Sequence, residues 1–404
     1  MFDIRLTEEQ QAFQRVAREF AQKEIKPAAL VLDRKEAWED RVPMDLLRKG
    51  SQLGFRTFTL SEENGGAGAF DQLTSAVVAE ELGAGDIGTA YYFMLTARRA
   101  RDWFEVRMTP EQKDYFLPKF INDDSYFSTV CIHEPDTDLG YDYFSDTPDE
   151  IRLRTKAVQQ KDGSWIINGA KNFQTIGYIA KLLLVIADTD NGPAAFLVEG
   201  DSPGITRQPM VKIGRRVGDN AEIFFDNVRV PKGRILEKAP PERTDLGTHV
   251  TIAAITLGLG RAAFEETLKF VQERVSGNKP IVKHQAVGLC LADMATSLET
   301  ARMLIWKAAW AKDHPEAFED GSLERMPLEL MAATYTGSAV QRLTVQGMEL
   351  FGGMGVVVGM PIEKYVRDAL VQLHISFQFL NRLKIAEALA GYDRRVKPLL
   401  GLAG

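Results

Sequence analysis

The sequence predicts an α+β fold in three consecutive blocks: a helical domain over residues 1–123, a middle antiparallel β domain over 124–237 and a C-terminal four-helix bundle over 238–404. Three observations carry that prediction. Apolar residues recur at three- and four-residue spacing to about residue 122, strand-forming residues then dominate to about 235, and the helical spacing returns after Pro231. With 404 residues, 45% hydrophobic and 26% charged, the chain has enough apolar surface to close such a fold. That composition sets aside disordered, collagen-like and mini-protein readings.

In the first block, Thr7-Glu8-Glu9-Gln10 has capping-box spacing ahead of Phe13, Val16, Ala17 and Phe20. Thr109-Pro110-Glu111-Gln112 starts a second helix, with a capping hydroxyl, a Pro at the first helical position and a Gln three residues on. The glycine loop Glu63-Asn64-Gly65-Gly66-Ala67-Gly68 follows no clear strand and reads as a plain loop.

In the middle block, strands are expected at 126–132, 151–158, 165–167, 182–186, 195–198 and 223–225. Asp162-Gly163 and Asn191-Gly192 are the pairs of a tight hairpin whose two central residues both take positive φ. After Pro231, long helices are expected around 248–274, 284–312, 325–350 and 376–392, with the linker Lys238-Ala239-Pro240-Pro241-Glu242 as the domain boundary.

Several chemistries are argued against. A net charge of −7 disfavours nucleic acid as the main partner, because phosphate binding normally shows as a concentration of Lys and Arg. The longest uncharged stretches, 250–260 and 350–362, are short of the roughly 18 to 20 apolar residues of a membrane span. The N-terminus has no basic-then-apolar leader, so a cytoplasmic protein is expected. Cys131 and Cys290 form no C-x-x-C pair, and the five histidines have no second ligand at metal spacing, so no metal is expected. Gly258-Leu259-Gly260-Arg261-Ala262-Ala263 imitates a dinucleotide turn, but no acid-bearing second strand follows; small residues packing helix on helix explain it better.

The block order, together with four local strings, resembles the flavin-dependent acyl-CoA dehydrogenase superfamily over essentially the whole chain. The strings are Ile166-Ile167-Asn168-Gly169-Ala170-Lys171-Asn172-Phe173-Gln174-Thr175, the run from Phe224 to Pro231, the segment from Glu273-Arg274 to Met294, and Phe351-Gly352-Gly353-Met354-Gly355 leading to Arg367-Asp368-Ala369. The resemblance implies that family's fold, FAD as cofactor and an acyl-CoA thioester as substrate. In that chemistry a carboxylate removes the α proton while the β hydrogen leaves as hydride to the flavin.

By the same resemblance, Val130 to His133, with Ile132 and His133, and the pair Phe173 and Thr175 border the ring. An aromatic there shields one face, and a hydroxyl hydrogen-bonds N5, where negative charge collects on reduction. Arg274 matches an arginine reaching the cofactor pyrophosphate in a neighbouring subunit, and Gly352 and Gly353 match a glycine pair that lets backbone N–H groups approach it. A homo- or hetero-oligomer, dimer or tetramer, follows, with an electron-transfer flavoprotein as acceptor. On the residues alone, Phe173 could be sheet packing, Arg274 a solvated helix-end charge and the glycines a turn.

Departures from the family pattern are equally specific. Leu139 stands where a serine usually meets the pyrophosphate, an aromatic and acidic insertion follows at 141–146, Gly277 replaces a phenylalanine, and Glu349 replaces a frequent glutamine. The usual glutamate base is absent: residues 370–382 contain no acid, and Ser376 occupies its place, or Ile375 when counted from Arg382. The alternative site, Thr248-His249, is empty too. A serine hydroxyl is too weakly basic at neutral pH to take an α proton unaided. His374, Asp86 and Asp245 are the remaining candidates. Three functions stay open: an acyl-CoA dehydrogenase of lipid metabolism with a relocated base and a bulky or ring-containing acyl group; a base-less subunit of a heteromeric dehydrogenase; and a flavin monooxygenase on the same scaffold.

Overall fold

Both predicted capping boxes form, and each starts a helix where the sequence places it. Thr7 Oγ1 accepts from Gln10 N while Gln10 Oε1 accepts from Thr7 N, and Thr109 and Gln112 repeat the exchange with Pro110 in the first helical position. The structure is a computed structural model that describes residues 5–135, 153–236, 248–317, 327–375 and 378–390. The insertion at 141–146, Leu139, the linker at 238–242, Asp245 and Ser376 lie outside the described residues.

The first block comprises α1 (Glu8–Phe20), continued by a π-helical turn into α2 (Lys26–Leu32), then α3 (Met44–Gln52), α4 (Gln72–Gly85), α5 (Ile87–Ala100) and α6 (Pro110–Asn122). Every residue of α4 is buried. A helix covered all round must be small or apolar, or have its charges matched. Its two acids are matched: Glu80 meets Arg261 and Arg302, and Glu81 meets Arg18 and Arg261.

The middle block holds β1 (Ser128–Cys131), β2 (Lys156–Gln159), β3 (Trp165–Thr175), β4 (Leu182–Thr189), β5 (Gly192–Glu199), β6 (Ile205–Pro209), β7 (Asn220–Val230) and β8 (Ile235–Leu236), in the order β6-β7-β3-β2-β4-β5-β8. β4 is the hinge of the packing. Leu183, Val185 and Ala187 enter the main core shared with the helices, whereas Leu182, Leu184 and Ile186 enter a second core with Trp103, Phe116 and Phe120.

Three expectations change. The sheet is not wholly antiparallel: β1 runs parallel to β4, because the chain returns to β4 only after the β2–β3 hairpin has crossed over. At Asp162-Gly163 and Asn191-Gly192 only the glycine takes positive φ. In the first hairpin Gly163 N donates to Gln160 O and Gln160 N to Ser164 O, a turn with a glycine bulge rather than a two-residue loop. β6 and β8 add to the expected strands; β8 has two residues and β6 five, three of them the polar Thr206, Arg207 and Gln208.

The third block holds α7 (Thr248–Glu273), β9 (Val275–Ser276), β10 (Lys279–Pro280), α8 (Gln285–Asp313), α9 (Leu328–Phe351), α10 (Pro361–Ile375) and α11 (Gln378–Ala390). Among the described residues five helices replace the expected four. Pro361 opens α10, and Ile362, Tyr365 and Ala369 bury one stripe of it, so the acid-free residues 370–375 are helical. The Gly258–Gly260 segment lies inside α7 and packs helix on helix: a Cβ at Gly258 would stand 2.2 Å from Glu80 O on α4.

Candidate functional site

β3 and β7 pair antiparallel, but their ladder slips between Lys171 and Gln174, and Phe173 sits in the slip with φ +55°. A left-handed backbone is strained for an aromatic residue and persists only where neighbours impose it. The Phe173 ring is 62% exposed, so it is not packed into the sheet. Asn220 Nδ2 on β7 donates to Phe173 O at 3.1 Å and to Thr175 Oγ1 at 3.2 Å, and Thr129 Oγ1 on β1 donates to Thr175 O at 2.8 Å.

The chain leaving β1 runs beside this bulge. His133 O accepts from Asn172 N at 3.0 Å and Gln174 Nε2 at 3.3 Å, and Ile132 O accepts from Lys171 Nζ at 3.2 Å. Beneath the crossing, Lys171 Nζ and Glu134 Oε1 form a fully buried ion pair at 2.6 Å, and Glu134 also accepts from Arg154 N and Thr155 N. Burial pushes the Glu134 carboxyl up, but Lys171 and those donors outweigh it and hold it below the usual carboxylate range. Burial, and then the Lys171 charge, pushes the His133 imidazole below its ordinary value. Thus Ile132, His133, Phe173 and Thr175 are brought together by one backbone hydrogen bond, from Asn172 N, and by side-chain donors from Lys171, Gln174, Asn220 and Thr129.

A second cluster lies at one end of the bundle. Phe270, one turn before Arg274, stacks on Phe351 with centroids 3.9 Å apart and planes 11° apart, and Phe351 directly precedes Gly352. Arg274, Gly352 and Gly353 are all exposed; Gly352 has φ +58°, and open space surrounds the Cβ position of both glycines. Bare backbone beside a guanidinium is a donor set that suits a pyrophosphate. Gly277 and Asn278, both at positive φ, form the two-residue turn of the β9–β10 hairpin, with Ser276 opposite Lys279. Glu349 is exposed on the last turn of α9, and its carbonyl accepts from Gly352 N. Among the described residues no hydrogen bond or ion pair joins Phe173 or Thr175 to Arg274 or Gly352.

Asp86, a base candidate by sequence, is engaged at both carboxylate oxygens. It caps α5, its Oδ1 accepting from Thr89 N at 2.8 Å, while its Oδ2 lies 2.7 Å from Lys364 Nζ; both oxygens are engaged and the residue is buried. His374 is exposed on the last turn of α10. His249 is buried in the first turn of α7. Among the described residues no group of three or more His, Cys, Asp or Glu could hold a metal, and no helix is long and apolar enough to cross a membrane.

The sequence reading missed Asn220, which touches both residues assigned to the ring, and its anchors. Asn220 Oδ1 accepts from Lys212 Nζ at 2.9 Å and from Arg215 Nη2, and Arg215 N donates to Asp368 Oδ1. Register alone pairs Asn220 with Thr175, and a one-residue ladder assignment would have found it.

Models of the acyl-CoA dehydrogenase N-terminal, middle and C-terminal domains match residues 7–124, 147–228 and 247–374. The chain is 30% identical to the mitochondrial short-chain specific acyl-CoA dehydrogenase of Rattus norvegicus, over 95% of this chain and 90% of that protein. It is also 30% identical to the cyclohex-1-ene-1-carbonyl-CoA dehydrogenase of Geobacter metallireducens, over 95% of this chain and 98% of that one. The structure of butyryl-CoA dehydrogenase from Megasphaera elsdenii superposes with a TM-score of 0.81 at 25% identity, covering 96% of this chain and all of that one.

Proposed function

The chain belongs to the acyl-CoA dehydrogenase family, and on that premise we propose that it is an FAD-dependent oxidoreductase acting on an acyl-CoA thioester whose acyl group departs from a simple fatty chain. The observation that carries this reading is the β3 bulge, which presents an exposed aromatic face at Phe173 and the Thr175 hydroxyl side by side. FAD supplies a two-electron acceptor able to take a hydride. The chain's own residues do the rest: Phe173 covers a face, Thr175 offers a hydrogen bond, and Arg274 with the Gly352–Gly353 backbone suits the pyrophosphate. No described hydrogen bond or ion pair joins those two clusters within one chain, and the reading is a homo-oligomer in which one protomer's bundle end completes its partner's ring site.

The unusual-acyl proposal rests on the missing carboxylate in residues 370–382, which leaves His374 as the nearest titratable group in that segment. The test is a visible spectrum of the purified chain before and after anaerobic mixing with CoA thioesters of straight, branched and cyclic acids. Flavin bands that bleach with a branched or cyclic thioester support the reading. Bands that bleach only with straight-chain thioesters refute the acyl assignment.

A second reading has one specific observation behind it. With Asp86 locked between Thr89 and Lys364, the first helical domain loses its candidate base, as expected of a base-less subunit in a heteromeric dehydrogenase. Flavin that no thioester in the panel reduces, but that appears in a complex with a second acyl-CoA dehydrogenase chain, favours this reading.

A further inference from the structure

We infer that Asn220 is a positioning residue that sets the direction of the Thr175 hydrogen bond, leaving the Thr175 hydroxyl proton free to face the flavin. This rests on the assignment of Thr175 to the ring site, and goes beyond it by naming what orients the hydroxyl and what holds that orienting group in place.

A primary amide has a donating end and an accepting end, and which end faces which neighbour follows from the partners. Asn220 is buried, at 8% exposure. Its Oδ1 faces Lys212 Nζ and Arg215 Nη2, and the Arg215 guanidinium has donors only. A flipped amide would set an NH2 group against the donors of Arg215, so the amide is fixed with its carbonyl toward them. Nδ2 must then face the opposite way, where it meets Phe173 O and Thr175 Oγ1. Phe173 O can only accept, which agrees with this assignment.

The consequence for Thr175 is one of valence. A hydroxyl carries one proton and two lone pairs. Accepting from Asn220 uses a lone pair and keeps the proton for another partner. The backbone carbonyl of Thr175 is already taken up by Thr129. The same amide also holds the positive-φ backbone of Phe173, so one side chain fixes both Phe173 and Thr175.

The anchors of Asn220 are themselves buried and held from other elements. Arg215 is 2% exposed; its Cζ lies 4.7 Å from the centre of the Tyr91 ring, and its N donates to Asp368 Oδ1 on α10 at 2.5 Å. Lys212 Nζ also donates to Gly218 O at 2.6 Å. Arg215 Nε and Nη1 have no hydrogen-bond partner among the described residues. Burying a guanidinium with two unmet donors is costly, and its Nη2 is given over to fixing Asn220.

A hydrogen bond donated to a position where negative charge collects favours the reduced ring. Losing it is expected to shift the oxidised-to-reduced equilibrium about tenfold, equivalent to about 30 mV for a two-electron couple. The test uses the flavin-loaded full chain and reads the flavin midpoint potential and visible spectrum in the parent, Thr175→Ala, Asn220→Asp and the double variant. Asn220→Asp preserves size and leaves both cations paired, but a carboxylate has no donor. The Thr175 hydroxyl must then donate to it and turn from the ring.

The expected result is a lowered potential in both single variants, with the double no lower than Thr175→Ala alone. A field effect of the new charge would persist in the Thr175→Ala background, whereas loss of hydroxyl direction would not. If Asn220→Asp does not accumulate as folded protein, Asn220→Ala in the same cycle serves: it removes the donor that holds the Thr175 lone pair without offering a new acceptor, so a smaller lowering of the potential is expected, again absent in the Thr175→Ala background. A parent-like potential in the Asn220 variant beside a shifted Thr175→Ala protein overturns the inference alone, as does full additivity. A Thr175→Ala protein with parent potential and spectrum, or a chain that holds no flavin, overturns the site assignment and the inference with it.

Discussion

Lys364 Nζ lies 2.7 Å from Asp86 Oδ2, with both side chains buried, and so ties α10 of the bundle to the cap of α5 in the first helical domain. The same ammonium is 2.6 Å from Asp368, whose other oxygen accepts from Arg215 N. One cation therefore serves two carboxylates and, through Arg215, reaches Asn220. Burial alone would push the Lys364 pKa down, but the facing carboxylates of Asp368 and Asp86 raise it above its ordinary value.

Lys364→Met is expected to be strongly destabilising. It leaves two carboxylates buried against each other with no cation between them, and breaking a buried pair from one side costs about 3–5 kcal/mol. The urea midpoint, followed by far-UV circular dichroism, should fall accordingly. A midpoint within experimental error of the parent would show that these carboxylates do not depend on Lys364.

Glu81 predicts an acid limb of the stability curve. Burial pushes its carboxyl up, but hydrogen bonds from Arg261 and Arg18 and their charges outweigh that and hold it below 4.5. A carboxyl whose folded pKa is depressed adds stability that is fully present above the unfolded value and is lost as pH falls through the folded one. The parent should thus lose urea stability from about pH 4.5 downward, and Glu81→Gln should flatten that limb while starting from a lower midpoint at pH 7. Parallel pH profiles for the two proteins would refute this assignment.

Gly258 marks the closest approach of α7 to α4. An added Cβ would stand 2.2 Å from Glu80 O and 2.6 Å from Ala84 N, both backbone atoms that cannot rotate aside. Gly83 answers from α4, where a Cβ would lie 2.4 Å from Ile255 O. Overpacking of this kind costs about 1–3 kcal/mol or more. Gly258→Ala should lower the thermal midpoint, whereas Gly288→Ala, with open space at its Cβ on the same bundle, should leave it unchanged or raise it.

The parts of this fold legible in the sequence are those set by local chemistry. Thr7-Gln10 and Thr109-Gln112 are capping boxes in the sequence and in space, and Leu182–Ile186 is a strand because five consecutive buried positions need a doubly covered sheet. What was illegible depends on partners distant in the chain. Nothing near Asp86 announces Lys364, 278 residues away, and so its loss as a free carboxylate could not be foreseen. Asn220 is likewise ordinary as a letter; only its pairing opposite Thr175 makes it part of the site. α10 is absent from the expected helices, and it takes the structure to show that Ile362, Tyr365 and Ala369 bury one stripe of it.

His374 provides the sharpest test of the chemistry. It is exposed on the last turn of α10, within the segment that carries no acid, and with Asp86 consumed it is the remaining described candidate for taking a proton from a substrate. General-base catalysis contributes about 10²–10⁴ in rate. In the dehydrogenase reading, His374→Ala should therefore slow single-turnover flavin reduction by at least about a hundredfold at pH 7 while flavin content and the urea midpoint stay at parent values. His374→Gln, which keeps the size and hydrogen-bonding capacity but cannot take the proton, should be equally slow; recovery with Gln would mark a binding role instead. If the parent reduces with a thioester and both variants match its rate, the base lies outside this segment and His374 is removed. If the parent itself is not reduced by any thioester yet holds flavin, the base-less subunit becomes the better account of this chain.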